Sequence, residues 1–518
     1  MDSQPRREFL ADVGRGMLLA SLGSATAFDL GLATRLHAGE ADKRVTFGPL
    51  EPLVSLLQET PPEKLQPILI DKLKSGESLK TLVSAAALAN VRAFAGQDYI
   101  GYHTFMALVP AYQMAAELPA AQRALPVLKV LYRNSSRIQA EGAGRKDALR
   151  PVVATASIDG KSNGRTVRDA VHAVDMEAAE SRFARLASGP SGEAFNHLQY
   201  AVQDEVDVHR VVLSWRAFAM LDLAGQEYAH SLLRQSVRYC VDVESSLRDR
   251  KRPVSPIRAL LPRLMDDNKL LAKTPGDRVP DDAWLEELAT VIFSAPREQA
   301  AEAVAVAIAE GFNLESVGEA ISMAANKLVL HDPGRLEKYS NDQKPPGCVH
   351  GDSVGVHASD AANAWRHISR VSNARNRISS LIVGAFHTAG QFSMVTPEPY
   401  PFASLLEETR ETDGKRLLIL TEEAIKANDQ ARACAVVQRF GDLKLPARPM
   451  FDLLIKYACS QDGALHAEKY YRTASEEYSI ARPAFRWRQM VALARVTASE
   501  FGHPAPGYQD ACDRLGIA

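Results

Sequence analysis

Residues 79–92 read LKTLVSAAALANVR, and residues 314–327, at an offset of 235 positions, read LESVGEAISMAANK. In both stretches the apolar residues recur at the spacing that is typical of a helix. The correspondence runs without a gap from residues 53 and 288, and it pairs Pro61 with Pro296 and Gly76 with Gly311. The two stretches therefore predict an internal duplication of a helical unit.

A pair of histidines occupies equivalent positions after these stretches. The correspondence resumes at an offset of 254, where Ile100-Gly101-Tyr102-His103 matches Val354-Gly355-Val356-His357. In a weaker continuation, His209 falls opposite His466. If the halves pack about a pseudo-twofold axis, paired imidazoles converge on one point, which is how a duplicated helical scaffold builds a metal site.

The fold class follows from the periodicity of the whole chain. Helical spacing dominates, and no region shows the sustained period-two alternation that a sheet needs. We expect an all-α fold: a large duplicated helical domain whose two pseudo-symmetric halves cover residues 45–250 and 280–518, with a linker at 250–280. Two turn-rich loops, 141–164 and 332–352, interrupt the helices, and the second should cover or line a pocket.

Composition excludes several classes of protein. The 518 residues are 24% charged with a formal net charge of −2, so nothing indicates a nucleic-acid partner. After the N-terminus no segment is long and apolar enough for a membrane span. The five cysteines are far apart and lack a C-x-x-C spacing, which predicts mostly buried thiols.

The first forty residues resemble an export signal. Pro5-Arg6-Arg7-Glu8-Phe9-Leu10 precedes a short apolar stretch from Met17 to Leu22, as in a twin-arginine signal segment. We therefore expect residues 1–40 to engage the twin-arginine export machinery, with a periplasmic or extracellular destination. That pathway carries folded proteins, often with a cofactor already bound.

Three histidines lie among small or apolar neighbours in predicted helices, namely His103, His357 and His387. Neutral imidazole is the commonest metal ligand, although a hydrogen-bonded core histidine is the simpler interpretation for each one alone. The pairing of His103 with His357 favours metal binding for those two.

Lys327 stands opposite Arg92 in the correspondence. It is either a salt-bridged lysine or a buried lysine whose lowered pKa lets the neutral amine add carbon dioxide. The resulting carbamate would be an anionic oxygen ligand.

Four short motifs together resemble the questin oxidase-like family. They are Gly101-Tyr-His-Thr-Phe-Met-Ala-Leu108, Phe195-Asn-His-Leu-Gln-Tyr200, Val356-His-Ala-Ser-Asp-Ala-Ala362 and Leu454-Ile-Lys-Tyr-Ala458. The resemblance covers roughly residues 80–480. That family includes oxygenases acting on anthraquinone rings, and one branch binds a non-haem iron through four histidines and a carboxylated lysine.

The resemblance implies His103, His197 and His357 as ligands and Lys327 as the carboxylated lysine. The chain departs from the family pattern at Leu453, where another histidine would be expected. The fourth imidazole would then come from His387, His466 or His209, and the sequence context slightly favours His387.

The sequence thus predicts an exported non-haem iron oxygenase-like enzyme acting with dioxygen on a small aromatic or quinone-like substrate. Zinc or copper would fit the same histidines. The alternatives are a non-catalytic helical scaffold that binds a ligand or partner, and a zinc-dependent hydrolase in which Asp204, Glu205 or Asp360 serves as the base.

Overall fold

The computed structural model describes residues 44–140, 147–154, 163–272, 274–351 and 353–517. Within these ranges the chain forms helices joined by turns, with isolated bridges and no β-strand. The prediction of an all-α fold is confirmed. The expected export signal at residues 1–40 and most of the loop at 141–164 lie outside the described residues.

The helices are numbered α1 to α24 in chain order. They are α1 Glu51–Glu59, α2 Pro62–Lys74, α3 Leu79–Phe94, α4 Tyr99–Ala115, α5 Leu125–Gln139, α6 Gly164–His172, α7 Met176–Leu186, α8 Ser191–Val202, α9 Val208–Ala219, α10 Leu221–Ala224, α11 Ala229–Asp249, α12 Ile257–Asp267, α13 Asp282–Ser294, α14 Arg297–Ala309, α15 Leu314–His331, α16 Val354–Val371, α17 Ala374–Ala389, α18 Ala403–Glu408, α19 Gly414–Lys426, α20 Gln430–Asp442, α21 Arg448–Ser460, α22 Ala467–Ile480, α23 Arg486–Glu500 and α24 Tyr508–Leu515.

None of these described helices has the length and apolar character that a bilayer crossing requires. All five cysteines are buried free thiols, as the sequence predicts.

The chain divides into two compact units that are not continuous in sequence. The first unit contains the described residues up to Val109 together with Leu131–Asp204 and Leu213–Val254. The second contains Pro110–Val130, Glu205–Val212 and the chain from Ser255 onward. The segment expected to be a linker, 250–280, includes helix α12, which belongs to the second unit.

Helix boundaries in the two units repeat at the offset seen in the sequence. Helices α2 and α14 each begin after a proline, Pro61 or Pro296, and end 235 positions apart. The side chains of Ser78 and Asn313 cap α3 and α15 by accepting a backbone N–H three residues on. This agreement is what a duplication predicts, and the duplication itself remains a prediction.

Glycines at equivalent positions allow a close helix contact within each unit. A Cβ at Gly101 would overlap the ring of Phe94, and a Cβ at Gly355 would overlap the backbone of Val329. Phe94 and Val329 are themselves separated by the offset of 235. The glycines therefore let α4 and α16, the helices that carry His103 and His357, pack tightly against the preceding helix.

A polar seam fixes α22 along α16 inside the second unit. Thr473 donates a hydrogen bond of 2.8 Å to Asp360, and Arg366 forms an ion pair of 2.6 Å with Glu477. Asn363 donates to the same glutamate at 2.9 Å. All five side chains are at least nine-tenths buried. Because buried polar groups must find their partners, the seam specifies one register of the two helices.

Candidate metal site

Two imidazoles of the second unit face each other at the N-terminal ends of α16 and α22. The Nε2 atoms of His357 and His466 are 3.2 Å apart, and the ring centroids are 4.8 Å apart in an edge-to-face arrangement. His466 is 3% exposed, and His357 is partly buried. The polar seam continues from this pair along the same two helices.

The hydrogen bonds at the opposite side of each ring define its tautomer. Nδ1 of His357 lies 2.9 Å from the carbonyl oxygen of Ser353, and Nδ1 of His466 lies 2.8 Å from that of Ala464. A carbonyl oxygen only accepts, so both Nδ1 atoms carry the proton. When both rings are neutral, the lone pair of each Nε2 is directed at the other ring.

Two such lone pairs at this distance repel each other unless a proton or a metal cation lies between them. A tetrahedral zinc site with bonds of 2.0–2.1 Å separates two imidazole nitrogens by about 3.3 Å, close to the spacing observed here. A carbonyl bound to the remote ring nitrogen is also the usual support of a metal-bound histidine. The pair therefore fits a metal ion by distance, tautomer and orientation.

A strained turn holds His466. Gly463, Ala464 and Leu465 have φ values of +53°, +51° and +64°, so three consecutive residues lie in the left-handed region. For Ala464 and Leu465 this conformation costs about 1–2 kcal/mol each. In the same turn, Leu465 is buried, and Nδ1 of His466 is hydrogen-bonded to the carbonyl of Ala464. Such strain is typical of functional sites, because it sets a side chain in place before binding.

His209 is the third imidazole of this region. Its ring centroid lies 5.6 Å from that of His357, and the two rings are nearly perpendicular. Burial lowers the pKa of His209 to about 4, opposed by the negative charge of Asp207 and assisted by the positive charge of Lys469. His209 is therefore neutral at pH 7, as a metal ligand must be.

Lys469 is a residue that the sequence reasoning missed. It lies three positions after His466 on α22, is only 2% exposed, and its charge acts on His209. Lysine is rarely buried to this extent in proteins. The signal in the sequence was the spacing of a histidine and a lysine by one helical turn, in His466-Ala467-Glu468-Lys469, and helical spacing alone does not reveal burial.

His103 lies in the first unit and has the local geometry of His357. Its Nδ1 is 2.6 Å from the carbonyl oxygen of Tyr99, four residues earlier, as Nδ1 of His357 is bonded to Ser353. The ring is 2% exposed and stacks with Tyr102 at 5.1 Å between centroids. The two histidines that the sequence pairs thus have the same tautomer and the same backbone support.

Two other predicted ligands have the opposite tautomer. Nδ1 of His197, in the first unit, accepts the backbone N–H of Gly164 at 3.1 Å. Nδ1 of His387, in the second unit, accepts from Nε1 of Trp365 at 3.3 Å. Burial lowers the pKa of both rings, that of His387 to about 4, so both are neutral and carry the proton on Nε2. Neither ring directs an Nε2 lone pair at a metal.

Lys327, on α15, forms an ion pair with α13. Its Nζ lies 3.3 Å from Glu286 and donates to Thr290 at 3.2 Å. In the first unit, Arg92 forms the equivalent ion pair with Glu51, which stands 235 positions before Glu286. The ion pair thus occupies the Lys327 ammonium, as an ion pair occupies the guanidinium at the equivalent position.

The remaining candidates are distributed over both units. Leu453 is partly buried on α21 and packs against the apolar core of the second unit. Asp204, in the first unit, is bonded to His172 at 2.7 Å. In the second unit Glu205 accepts the backbone N–H of Ser255, whereas Asp360 lies one turn after His357. Of the three carboxylates considered as a base, Asp360 shares a helix with a facing imidazole.

Comparison of the chain with protein-family models, with curated proteins and with solved structures gives no match.

Proposed function

We propose that this chain is a metal-dependent enzyme of the oxygenase type, with its metal held by His357 and His466 and with His209 as the third imidazole of the second unit. The observation that supports the proposal is the pair of Nε2 lone pairs at 3.2 Å, each fixed by a carbonyl on the other side of its ring.

The protein's own residues would orient and insulate this centre. The carbonyls of Ser353 and Ala464 fix the planes of the two imidazole rings. The hydrogen bond between Asp360 and Thr473 keeps α16 and α22 in register. When bound, a redox-active metal supplies dioxygen activation, whereas zinc supplies a water of lowered pKa. The choice of iron, over zinc or copper, rests on the resemblance to the questin oxidase-like family.

The metal content of the purified protein tests this proposal. We expect about one iron per chain, and oxygen uptake with hydroxylated naphthoquinones or anthraquinones that is lost in His466→Ala. Zinc in place of iron, without oxygen uptake, would favour a hydrolase with Asp360 as the base. Absence of metal from wild type would favour the non-catalytic scaffold. The prediction that His103 is a further ligand is tested by His103→Ala in the same series.

We propose Lys469, rather than Lys327, as the carboxylated lysine. A protonated Lys469 beside neutral imidazoles would repel a metal cation, whereas its carbamate would attract one. Removal of carbon dioxide and bicarbonate is therefore expected to weaken metal binding to wild type by about tenfold or more, the size expected for losing a supporting ligand group. Lys469→Met should lose this dependence.

Lys327→Met is the matched control for that experiment. It removes an ion pair with Glu286 but should keep the bicarbonate dependence of metal affinity. The reverse pattern, with dependence lost in Lys327→Met and kept in Lys469→Met, would contradict the assignment. A carbamate resonance in the carbon-13 spectrum of protein equilibrated with labelled bicarbonate gives an independent readout.

We also propose that residues 1–40 direct export through the twin-arginine machinery to a periplasmic or extracellular location. The adjacent Arg6 and Arg7 before Phe9 and Leu10 support this. Replacing both arginines by lysine should leave the protein in the cytoplasmic fraction of a bacterial host, whereas the same replacement at Arg250 and Arg252 should not. Equal fractionation of both variants would refute the signal.

A further inference from the structure

A cavity of about 490 Å³ lies in the second unit, lined by the turn-rich segment that follows α15 and by the start of α16. Ser353, whose carbonyl supports His357, is part of its wall. The volume falls within the range of small-molecule sites, roughly 300–1,000 Å³. The cavity is therefore large enough for a ligand, and its occupant would touch the residue that orients His357.

Three large apolar side chains line this cavity while remaining half exposed to solvent. Leu336 is 52% exposed, Tyr339 is 61% exposed and Met394 is 50% exposed. Scattered apolar residues are ordinary on a surface, but three around one cavity form a patch that an apolar ligand would cover. A tyrosine ring and a methionine thioether both make favourable contacts with a flat aromatic ring.

Most polar groups of the cavity wall are already engaged. The carboxylate of Asp332 accepts from the backbone N–H groups of Gly334 and Gly355 and from the hydroxyl of Ser353. Both ring nitrogens of His350 are hydrogen-bonded, to Ser499 and to the carbonyl of Gln343. Burial lowers the pKa of His350 to about 4, so this ring adds no charge at pH 7.

Arg335 contributes a cationic side chain to the cavity wall. Its guanidinium has five N–H donors, and Nη1 donates to the backbone carbonyl of Tyr339 at 2.9 Å. The ammonium of Lys338 lies 4.8 Å from the centre of the same ring. A guanidinium group is suited to carboxylates, with which it forms two parallel hydrogen bonds.

We propose that this cavity binds a planar aromatic acid. The ring system would lie against Leu336, Tyr339 and Met394, and the carboxylate would pair with the guanidinium of Arg335. An aromatic group without the acid would forgo the charge-assisted bonds, and an aliphatic acid would leave the apolar wall poorly covered. The two features together select the class of ligand.

The test is a fluorescence titration of the metal-free protein with 2-naphthoate. We expect saturable 1:1 binding to wild type and to Arg410→Gln, which removes an exposed arginine of the same unit outside the cavity. Arg335→Gln should bind about tenfold or more weakly, the loss expected for charge-assisted hydrogen bonds. Tyr339→Ala should also weaken binding, and 2-naphthalenemethanol should bind less tightly than 2-naphthoate.

Several results would overturn the proposal: no saturable binding to wild type, equal affinity of Arg335→Gln and wild type, or equal affinity for the acid and the alcohol. Arg335→Lys is a control for misfolding, because it keeps the positive charge at this position. It should still weaken binding of 2-naphthoate, because an ammonium group cannot form two parallel hydrogen bonds with a carboxylate. Since metal-free protein is titrated, the outcome does not depend on the proposed metal site.

Discussion

Replacing His466 by alanine is expected to weaken the binding of zinc or ferrous iron by more than about 100-fold, because loss of an outer-shell partner alone costs 10–100-fold. The substitution removes one of two Nε2 lone pairs that face each other at 3.2 Å. It also releases the bond between the ring and the carbonyl of Ala464. Isothermal titration of metal-free protein, in the presence of bicarbonate, measures the affinity.

The matched control for this variant is His331→Ala. His331 lies in the last turn of α15, and its Nδ1 is bonded to the carbonyl of Thr396, so its imidazole also has a backbone partner. It should bind metal as wild type does. Equal affinities of His466→Ala and His331→Ala would show that the facing imidazoles do not hold the metal.

The melting temperature provides a second readout of the same change. A ligand that binds only the folded state raises stability by about 2.7 kcal/mol when present at 100 times its dissociation constant. Wild type should therefore melt at a higher temperature with metal than without it, and His466→Ala should not.

Replacing Glu500 by glutamine is expected to stabilise the protein in alkaline solution. Glu500 is 3% exposed at the end of α23, and burial raises its pKa to about 8, assisted by the negative charges of Glu468 and Asp462 and opposed by Lys129. Lys129 is itself paired with Glu468 at 2.6 Å. The lysine charge is therefore already neutralised, and Glu500 is protonated at neutral pH.

The sign of the pH dependence follows from the raised pKa. The unfolded chain releases the Glu500 proton near pH 4.5, whereas the folded protein keeps it up to about pH 8. The folded state thus binds more protons between these values, and the free energy of unfolding falls as pH rises through this window. At about 1.4 kcal/mol per pKa unit, the full loss above pH 8 is about 5 kcal/mol.

Glutamine mimics the protonated carboxyl group at every pH. Glu500→Gln should match wild type at pH 5 and exceed it by several kcal/mol at pH 9, as measured by urea unfolding. Glu477→Gln is the control, because that buried carboxylate pairs with Arg366 at 2.6 Å and its neutralisation should destabilise the protein at neutral pH. A Glu500→Gln variant that is less stable than wild type at pH 9 would contradict a neutral Glu500.

Periodicity was sufficient to predict the all-α fold, whereas the internal duplication, on which the pairing of His103 with His357 rests, stays a prediction. Helical spacing depends on local sequence, and the matching caps, Ser78 and Asn313, and glycines, Gly101 and Gly355, lie just outside the stretches 79–92 and 314–327. The division into units was not predictable in the same way. Residues 110–130 and 205–212 join the second unit, and such placement depends on packing between distant segments.

The details of the candidate site depend on partners that the sequence does not display. Which nitrogen of His387 or His197 carries a proton is decided by Trp365 and by the backbone of Gly164. The ion pair of Lys327 with Glu286 joins two helices, as does its counterpart between Arg92 and Glu51, and helical spacing does not display such partners. Burial of Lys469 follows from the packing of α22, which its helical position alone does not reveal.

Anomalous X-ray diffraction from crystals of the purified protein tests the metal site most directly. The account predicts an anomalous peak within about 2.0–2.2 Å of Nε2 of both His357 and His466, the bond length of metal-bound imidazole. The absorption edge of the same crystal identifies the element. A peak held by other residues, or metal-free facing imidazoles in a crystal grown with excess ferrous iron or zinc, would contradict the account.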